Sequence, residues 1–428
     1  MTRRRRATTS HPSPETPTSW WKAAGPGIVA GAADDDPSGI ATYSIAGAQF
    51  GTALLWTALL TWPLMAAVQS MCARIGMVTG RGLMAALRKK FSRPLLVGAA
   101  CLLFIANTVN VGADLAGMAD AAELLTSVNS HVLVMVFAVS IGWATIRFRY
   151  ATIGSVMRWL ALTLLVYIVT AFVVGPTWGP VLRATVVPQV PSTPGAWATL
   201  LAVLGTTISP YLFFWQASQE VEEEKAIGRR TVADRVGASN LEIRNRKIDV
   251  GAGTFAAIVT MYFIMLTTAL TLHAHGLTSL TTSREVAQAL EPLAGRFAAL
   301  LYTLGLLGTG FLAIPTLTGS SAYAFAEIFG WRQGMDEQLR GAPAFYAVLS
   351  LSLAMGVLLD FLNISPVRAL FYSAVLNGLL APVLLFGILM VARDKTLMRG
   401  QTSSMIGQVT VGVAVLVMGA AAIAMFLT

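Results

Sequence analysis

Eleven apolar stretches of helix-spanning length, parted by short loops that hold most of the basic residues, limit this chain to one kind of fold. They lie near 25–49, 52–73, 95–122, 131–147, 155–176, 197–221, 250–273, 297–325, 343–361, 367–391 and 405–427. A hydrocarbon slab about 30 Å thick is crossed by about 20 helical residues. Inside it each segment must satisfy its own backbone polar groups, which leaves helices as the economical solution. Composition agrees: 55% of the 428 residues are hydrophobic, 12% are charged, and the mean hydropathy is +0.66. We therefore expect an all-α integral membrane protein with about 11 transmembrane helices in one domain spanning residues 21–428.

The loops orient the chain. With the N-terminus inside, 26 of the 30 Lys and Arg residues fall in cytoplasmic stretches, as positively charged loops favour. Only Arg183, Arg284, Arg296 and Arg368 fall outside, and the C-terminus then faces outward. Residues 1–20, basic and rich in Ser, Thr and Pro, read as a disordered cytoplasmic tail. They read less well as a cleaved signal, because the apolar run that follows carries three aspartates. An inner or plasma membrane location follows from that reading. The net charge of +9 is explained by loop topology, not by a nucleic-acid surface, since the cations lack interleaved aromatics. Two cysteines, Cys72 and Cys101, and four scattered histidines cannot form a soft or imidazole-rich metal cage. The sequence points to no cofactor, no obligate protein partner and no enzyme motif.

Two segments are not continuous helices. In the first, Asp34, Asp35 and Asp36 stand at mid-membrane and are followed at once by Pro37, Ser38 and Gly39. Proline removes a backbone donor, and the residue before it resists helical geometry, so the helix breaks at Asp36. The sixth segment is interrupted in the same way by Gly205, Thr206, Thr207, Ser209 and Pro210. The breaks stand five segments apart, and interrupted helices at matching positions of two halves point to a transporter with inverted repeats and a midplane site. We place repeat one at about 21–176, repeat two at about 195–391, and an extra helix at about 405–427.

Asp36 is the leading site candidate, because an intramembrane carboxylate is costly unless paired, solvated or metal-bound. The plainer reading makes the three aspartates caps facing a wet vestibule. Asp35 and Asp34 follow it, since consecutive helical residues cannot all face one cavity, and Ala33, beside the break, joins the metal set. Thr206, Thr207 and Ser209 offer hydroxyls and freed carbonyls, although such residues also serve as glue between helices. Oxygen-only ligation suits hard cations such as Mg²⁺, Ca²⁺ or Mn²⁺. Asp114 is a second buried acid, suited to relaying protons or to an outer shell, or else simply hydrogen-bonded to a neighbouring helix. Asn107, Asn110 and Asn377 read as polar contacts between helices.

Taken together, the Gly25 to Gly27 opening, the Asp36-Pro37-Ser38-Gly39 break and the Gly205 to Tyr211 break resemble the natural-resistance-associated macrophage protein (Nramp) family of divalent-metal transporters over nearly the whole chain. The resemblance implies a LeuT-type 5+5 inverted repeat with discontinuous helices 1 and 6. It also implies Asp36 as metal ligand and Thr206 as a backbone-carbonyl ligand. The family's asparagine in the first break is Gly39 here, and its methionine and histidine around the second proline are Ser209 and Tyr211. Asp114 matches a proton-pathway aspartate, but the glutamate three residues on is Gly117. These departures make the chain most similar to the Nramp-related magnesium transporter branch, which implies uptake of Mg²⁺ and Mn²⁺ by alternating access without tight proton coupling. The rivals are a proton-coupled Mn²⁺/Fe²⁺ carrier and an amino-acid or organic-cation carrier of the same fold. From another class, Asp36 and Asp114 could form an intramembrane aspartyl protease pair.

Overall fold

The computed structural model describes residues 25–148, 152, 162–191, 193, 195–362 and 364–427. Helices account for the regular structure, and there is no strand among the described residues. We number the principal helices α1 (Pro26–Asp34), α2 (Pro37–Phe50), α3 (Trp56–Thr79), α4 (Arg93–Thr126), α5 (Ser130–Arg147), α6 (Val166–Val174) and α7 (Ala196–Thr207). They continue with α8 (Pro210–Ala226), α9 (Asn240–Thr271), α10 (Ala298–Phe329), α11 (Pro343–Asp360), α12 (Pro366–Ala392) and α13 (Met405–Leu427).

Nine helical spans among the described residues are long and apolar enough to cross a bilayer, with α7 and α8 counted as one. The broken pair α1–α2 and the apolar helix over Leu162–Val174 supply the other two of the expected segments. The expected tail 1–20 and positions 155–161 of the fifth segment lie outside the described residues. The surface carries the apolar character that lipid requires: Val139, Leu416, Ile406 and Phe426 are all strongly exposed.

Proline starts many of these helices. Pro26, Pro37, Pro210, Pro343 and Pro366 each stand in a first turn, where a missing N–H costs nothing and the fixed φ suits the helix. Both expected breaks are present and are built alike. α1 stops at Asp34, two residues leave helical geometry, and α2 resumes at Pro37; α7 stops at Thr207, two residues leave it, and α8 resumes at Pro210. The backbone angles repeat as well. Asp35 (φ −79°, ψ 52°) matches Ile208 (−109°, 61°), and Asp36 (−69°, 169°) matches Ser209 (−77°, 131°).

Small residues bring the broken helices against their supports. A Cβ at Gly31 would lie 2.4 Å from the carbonyl of Gly253, and one at Gly253 would lie 2.3 Å from the oxygen of Gly27. Thus α1 packs backbone to backbone on α9, the close approach that small residues permit in membranes. Gly205 plays the same part for α7, where a Cβ would meet Ala374 O and Gly378 N on α12 at 2.3 Å.

Candidate cation site

The break register sets the chemistry. Each break leaves one carbonyl three residues before its extended residue, Ala33 and Thr206, and one side-chain oxygen on that residue, Asp36 and Ser209. Asp36 turns forward and caps α2: its Oδ1 accepts from Gly39 N at 2.6 Å. Its Oδ2 accepts from Asn110 Nδ2 on α4 at 3.0 Å. Ser209 turns back, donating to Thr206 O at 2.5 Å and Gly205 O at 2.9 Å. The phenol of Tyr211, in the second break, reaches across to donate to Ala33 O at 2.8 Å. Both freed carbonyls are thus held by hydroxyls of this chain, and the two breaks are tied to each other.

Asn110 is the hub. Its Nδ2 also stands 3.5 Å from Asp114 Oδ2, one turn on along α4, and its Oδ1 accepts from Ser373 Oγ on α12 at 2.6 Å. Ser373 in turn lies 3.1 Å from Ser38 Oγ, and Ser38 donates to Leu370 O at 3.0 Å. One network therefore joins α2, α4 and α12. From the sequence Asn110 reads as interhelical glue, and Ser38 and Ser373 carry no sign of this role. The i, i+4 spacing of Asn110 and Asp114 was the available signal, since it puts them on one face, whereas nothing distinguished Ser373 from other serines in the chain.

The remaining candidates are distributed around this centre. Asn377 is buried one turn beyond Ser373, with its Oδ1 unbonded. Thr207 Oγ1 donates to Val203 O at 2.6 Å and stands 3.1 Å from the Tyr43 hydroxyl, so its hydroxyl joins helices. Gly39 lets neighbours close in beside the carboxylate: a Cβ there would meet the Tyr43 ring at 3.3 Å and Asp36 Oδ1 at 3.4 Å. Asp35 is buried with an unbonded Oδ1, and both oxygens of buried Asp34 lack hydrogen-bond partners.

The electrostatics are lopsided. Asp34, Asp35, Asp36 and Asp114 are all buried, and among the described residues none makes an ion pair. Several kcal/mol oppose each isolated carboxylate at such depth. Protons or a cation must balance them. Nor is there a ready-made cage: among the described residues no three acidic, histidine or cysteine side chains converge. An ion here would combine Asp36 with carbonyls, hydroxyls and its own waters, which hard divalent cations accept.

At the end of the bundle where α1 begins, the broken helices are locked. Asp249 of α9 accepts from the amides of Gly25 at 3.0 Å and Gly27 at 2.8 Å, satisfying donors that the start of α1 leaves free. Arg246 donates to Asp249 at 2.8 Å and to Glu220 of α8 at 2.9 Å, and pairs with Glu223. One arginine thereby ties α1 to α8 through α9.

Discontinuous helices facing each other around a buried polar centre, in a bundle with an apolar exterior, define a membrane transporter of the inverted-repeat class. The profile of the family described as "Natural resistance-associated macrophage protein-like" matches residues 27–428, and the chain belongs to that family. Its members are membrane transporters, so the protease reading is set aside. The manganese transporter of Eremococcus coleocola has the same fold, with a TM-score of 0.77 over 96% of this chain and 87% of that one at 18% identity. Mhp1, a nucleobase-cation-symport-1 family transporter, aligns with a TM-score of 0.58 over 94% and 91% of the chains at 16% identity. In sequence, the divalent metal cation transporter MntH of Acidiphilium cryptum is 26% identical over 394 residues, covering 88% of this chain and 83% of its own length. The MntH of Verminephrobacter eiseniae is 28% identical over 309 residues, 69% of this chain and 66% of its own length.

Proposed function

We propose that this protein carries divalent metal cations, Mg²⁺ and Mn²⁺, across a bacterial plasma membrane by alternating access, without tight coupling to protons. The observation that carries the reading is Asp36: a buried carboxylate at the first helix break, hydrogen-bonded only by neutral donors, with the second break tied to its own. Asp36 supplies the charge, and Thr206 and Ala33 supply carbonyls once Ser209 and Tyr211 release them. The Ser209 hydroxyl contacts the ion or one of its waters, and Asp35 adds field. Gly39 adds no side-chain ligand, so the ion keeps part of its water shell. The repeat boundaries near 21–176 and 195–391, and an N-terminus in the cytoplasm, belong to the same proposal.

The absence of tight coupling is favoured by the setting of Gly117. The site of a Cβ there is walled by Leu370 at 2.9 Å and Leu306 at 3.8 Å, so α4 offers no titratable group one turn beyond Asp114. Asp114 then serves as an outer carboxylate steering Asn110. The relatives called MntH are the ground for the second reading, a proton-coupled Mn²⁺ carrier with Asp114 as acceptor. An amino-acid or organic-cation carrier is less favoured, since the family profile and the relatives named for divalent metal cations point to metals.

Thermal unfolding of the purified protein tests the reading. Mg²⁺ and Mn²⁺ raise the midpoint of the wild type and leave Asp36→Ala unmoved, because a ligand stabilises only the state that binds it. A shift produced by amino acids or organic cations and not by metals refutes it.

A further inference from the structure

A cleft of about 490 Å³ lies between α3, α9 and the start of α13, away from the cation site. One end is polar and basic. Arg74 and Lys247 line it, and among the described residues neither makes an ion pair. Arg74 Nη1 reaches only the carbonyls of Gln401 and Thr402, at 3.5 and 3.4 Å. Beside them, Ser403 is 7% exposed and its hydroxyl has no partner among the described residues, although its amide is bonded to Ala392 O. Buried hydroxyls seldom remain unpaired without a ligand or water to meet them.

Toward the other end it is apolar, walled by Trp62, Pro63 and Ala66 of α3. Trp62 and Ile406 are exposed on the face that would meet lipid. From Arg74 to Trp62 the helix rises by about 18 Å, close to the half-thickness of a hydrocarbon core of about 30 Å. Charge at one end and an apolar wall of that length fit a single molecule with an anionic phosphodiester and an acyl chain. A free phosphate would leave the apolar part unfilled.

We propose that this cleft is a binding site for a phospholipid of net negative charge, its phosphate held by Arg74, Lys247 and the Ser403 hydroxyl and its chain lying along Trp62. The site has a regulatory consequence. Arg246 also lines the cleft, and it is the residue that ties Asp249, Glu220 and Glu223 together. A phosphate beside it competes with those carboxylates for its guanidinium and loosens the clamp on α1. The bound lipid thus biases the bundle toward opening at that end.

The experiment uses the delipidated full chain in detergent, titrated with short-chain phosphatidylglycerol, with phosphatidylcholine of equal chain length, and with glycerol 3-phosphate. Phosphatidylglycerol raises the unfolding midpoint more than phosphatidylcholine does, and glycerol 3-phosphate has no effect. In Arg74→Gln/Lys247→Gln the two lipids become equivalent; should that variant fold poorly, Lys247→Gln alone, at an exposed position, reduces the difference. Hydrogen exchange at the amides of Gly27 and Ile28 speeds up severalfold with phosphatidylglycerol in the wild type. Equal shifts by the two lipids, or a preference that survives both variants, overturns the site. A full shift by glycerol 3-phosphate overturns the lipid in favour of a soluble anion, and lipid selectivity with unchanged exchange overturns the regulation.

Discussion

Asp36 and Ser209 hold the same position in two breaks of one design, each the extended residue just before the proline that restarts its helix. They use the position differently. Asp36 caps the helix ahead of it, whereas Ser209 folds back on the carbonyls behind it. In the proposed cation site the pair would divide the labour: fixed charge on one side, a releasable hydroxyl and carbonyl on the other.

That division predicts unequal mutational effects. Asp36→Asn keeps the shape and removes the charge, and lowers metal uptake by about 10–100-fold or more, in the range seen when shells of metal ligands are disturbed. Ser209→Ala leaves the Thr206 carbonyl free of its hydroxyl and changes uptake by less than about tenfold. Radiotracer or dye-based uptake at matched protein levels measures both.

Asn110 holds Asp36 by a hydrogen bond, so under the proposed function Asn110→Ala weakens metal affinity by about tenfold, while Ser373→Ala, one bond further out, has a smaller effect. Metal titrations followed by calorimetry distinguish them. Equal effects of the two substitutions would contradict the order of the network.

Asp249 secures the first turn of α1. Asp249→Ala removes the acceptor for the amides of Gly25, Gly27 and Ile28 and one carboxylate from Arg246. Loss of such a cap costs about 1 kcal/mol, which speeds exchange at Gly27 about fivefold while α12 amides are unaffected.

Gly31 and Gly253 meet at backbone distance. Gly253→Val overfills the seam and destabilises the protein by about 1–3 kcal/mol, seen as a fall in the unfolding midpoint. Gly419→Ala, where a Cβ meets nothing within 4 Å, leaves it unchanged.

Much of this was legible in the sequence because the bilayer is a demanding solvent. Apolar runs of helix length, Pro37 and Pro210, and a carboxylate at mid-membrane each admit few structures. What escaped is tertiary. Asn110 acts through a partner 74 positions earlier, and no local pattern announces that. Asp249 and Arg246 sit in a charged helix start that reads as ordinary loop chemistry, and their role exists only because α1 begins beside them. Thr207 shows the opposite case: its sequence position suggests the site, but its hydroxyl is spent on Val203 and Tyr43.

On the proposed function, Asp36 carries a hard divalent cation through these breaks without a coupled proton. Uptake of Mg²⁺ and Mn²⁺ into proteoliposomes, with and without an imposed pH gradient, for the wild type and Asp36→Ala, tests it most directly. Mg²⁺ uptake is expected to depend on Asp36, to ignore the gradient and to acidify nothing. Uptake of Mn²⁺ alone, accelerated by the gradient and accompanied by proton entry, would contradict it.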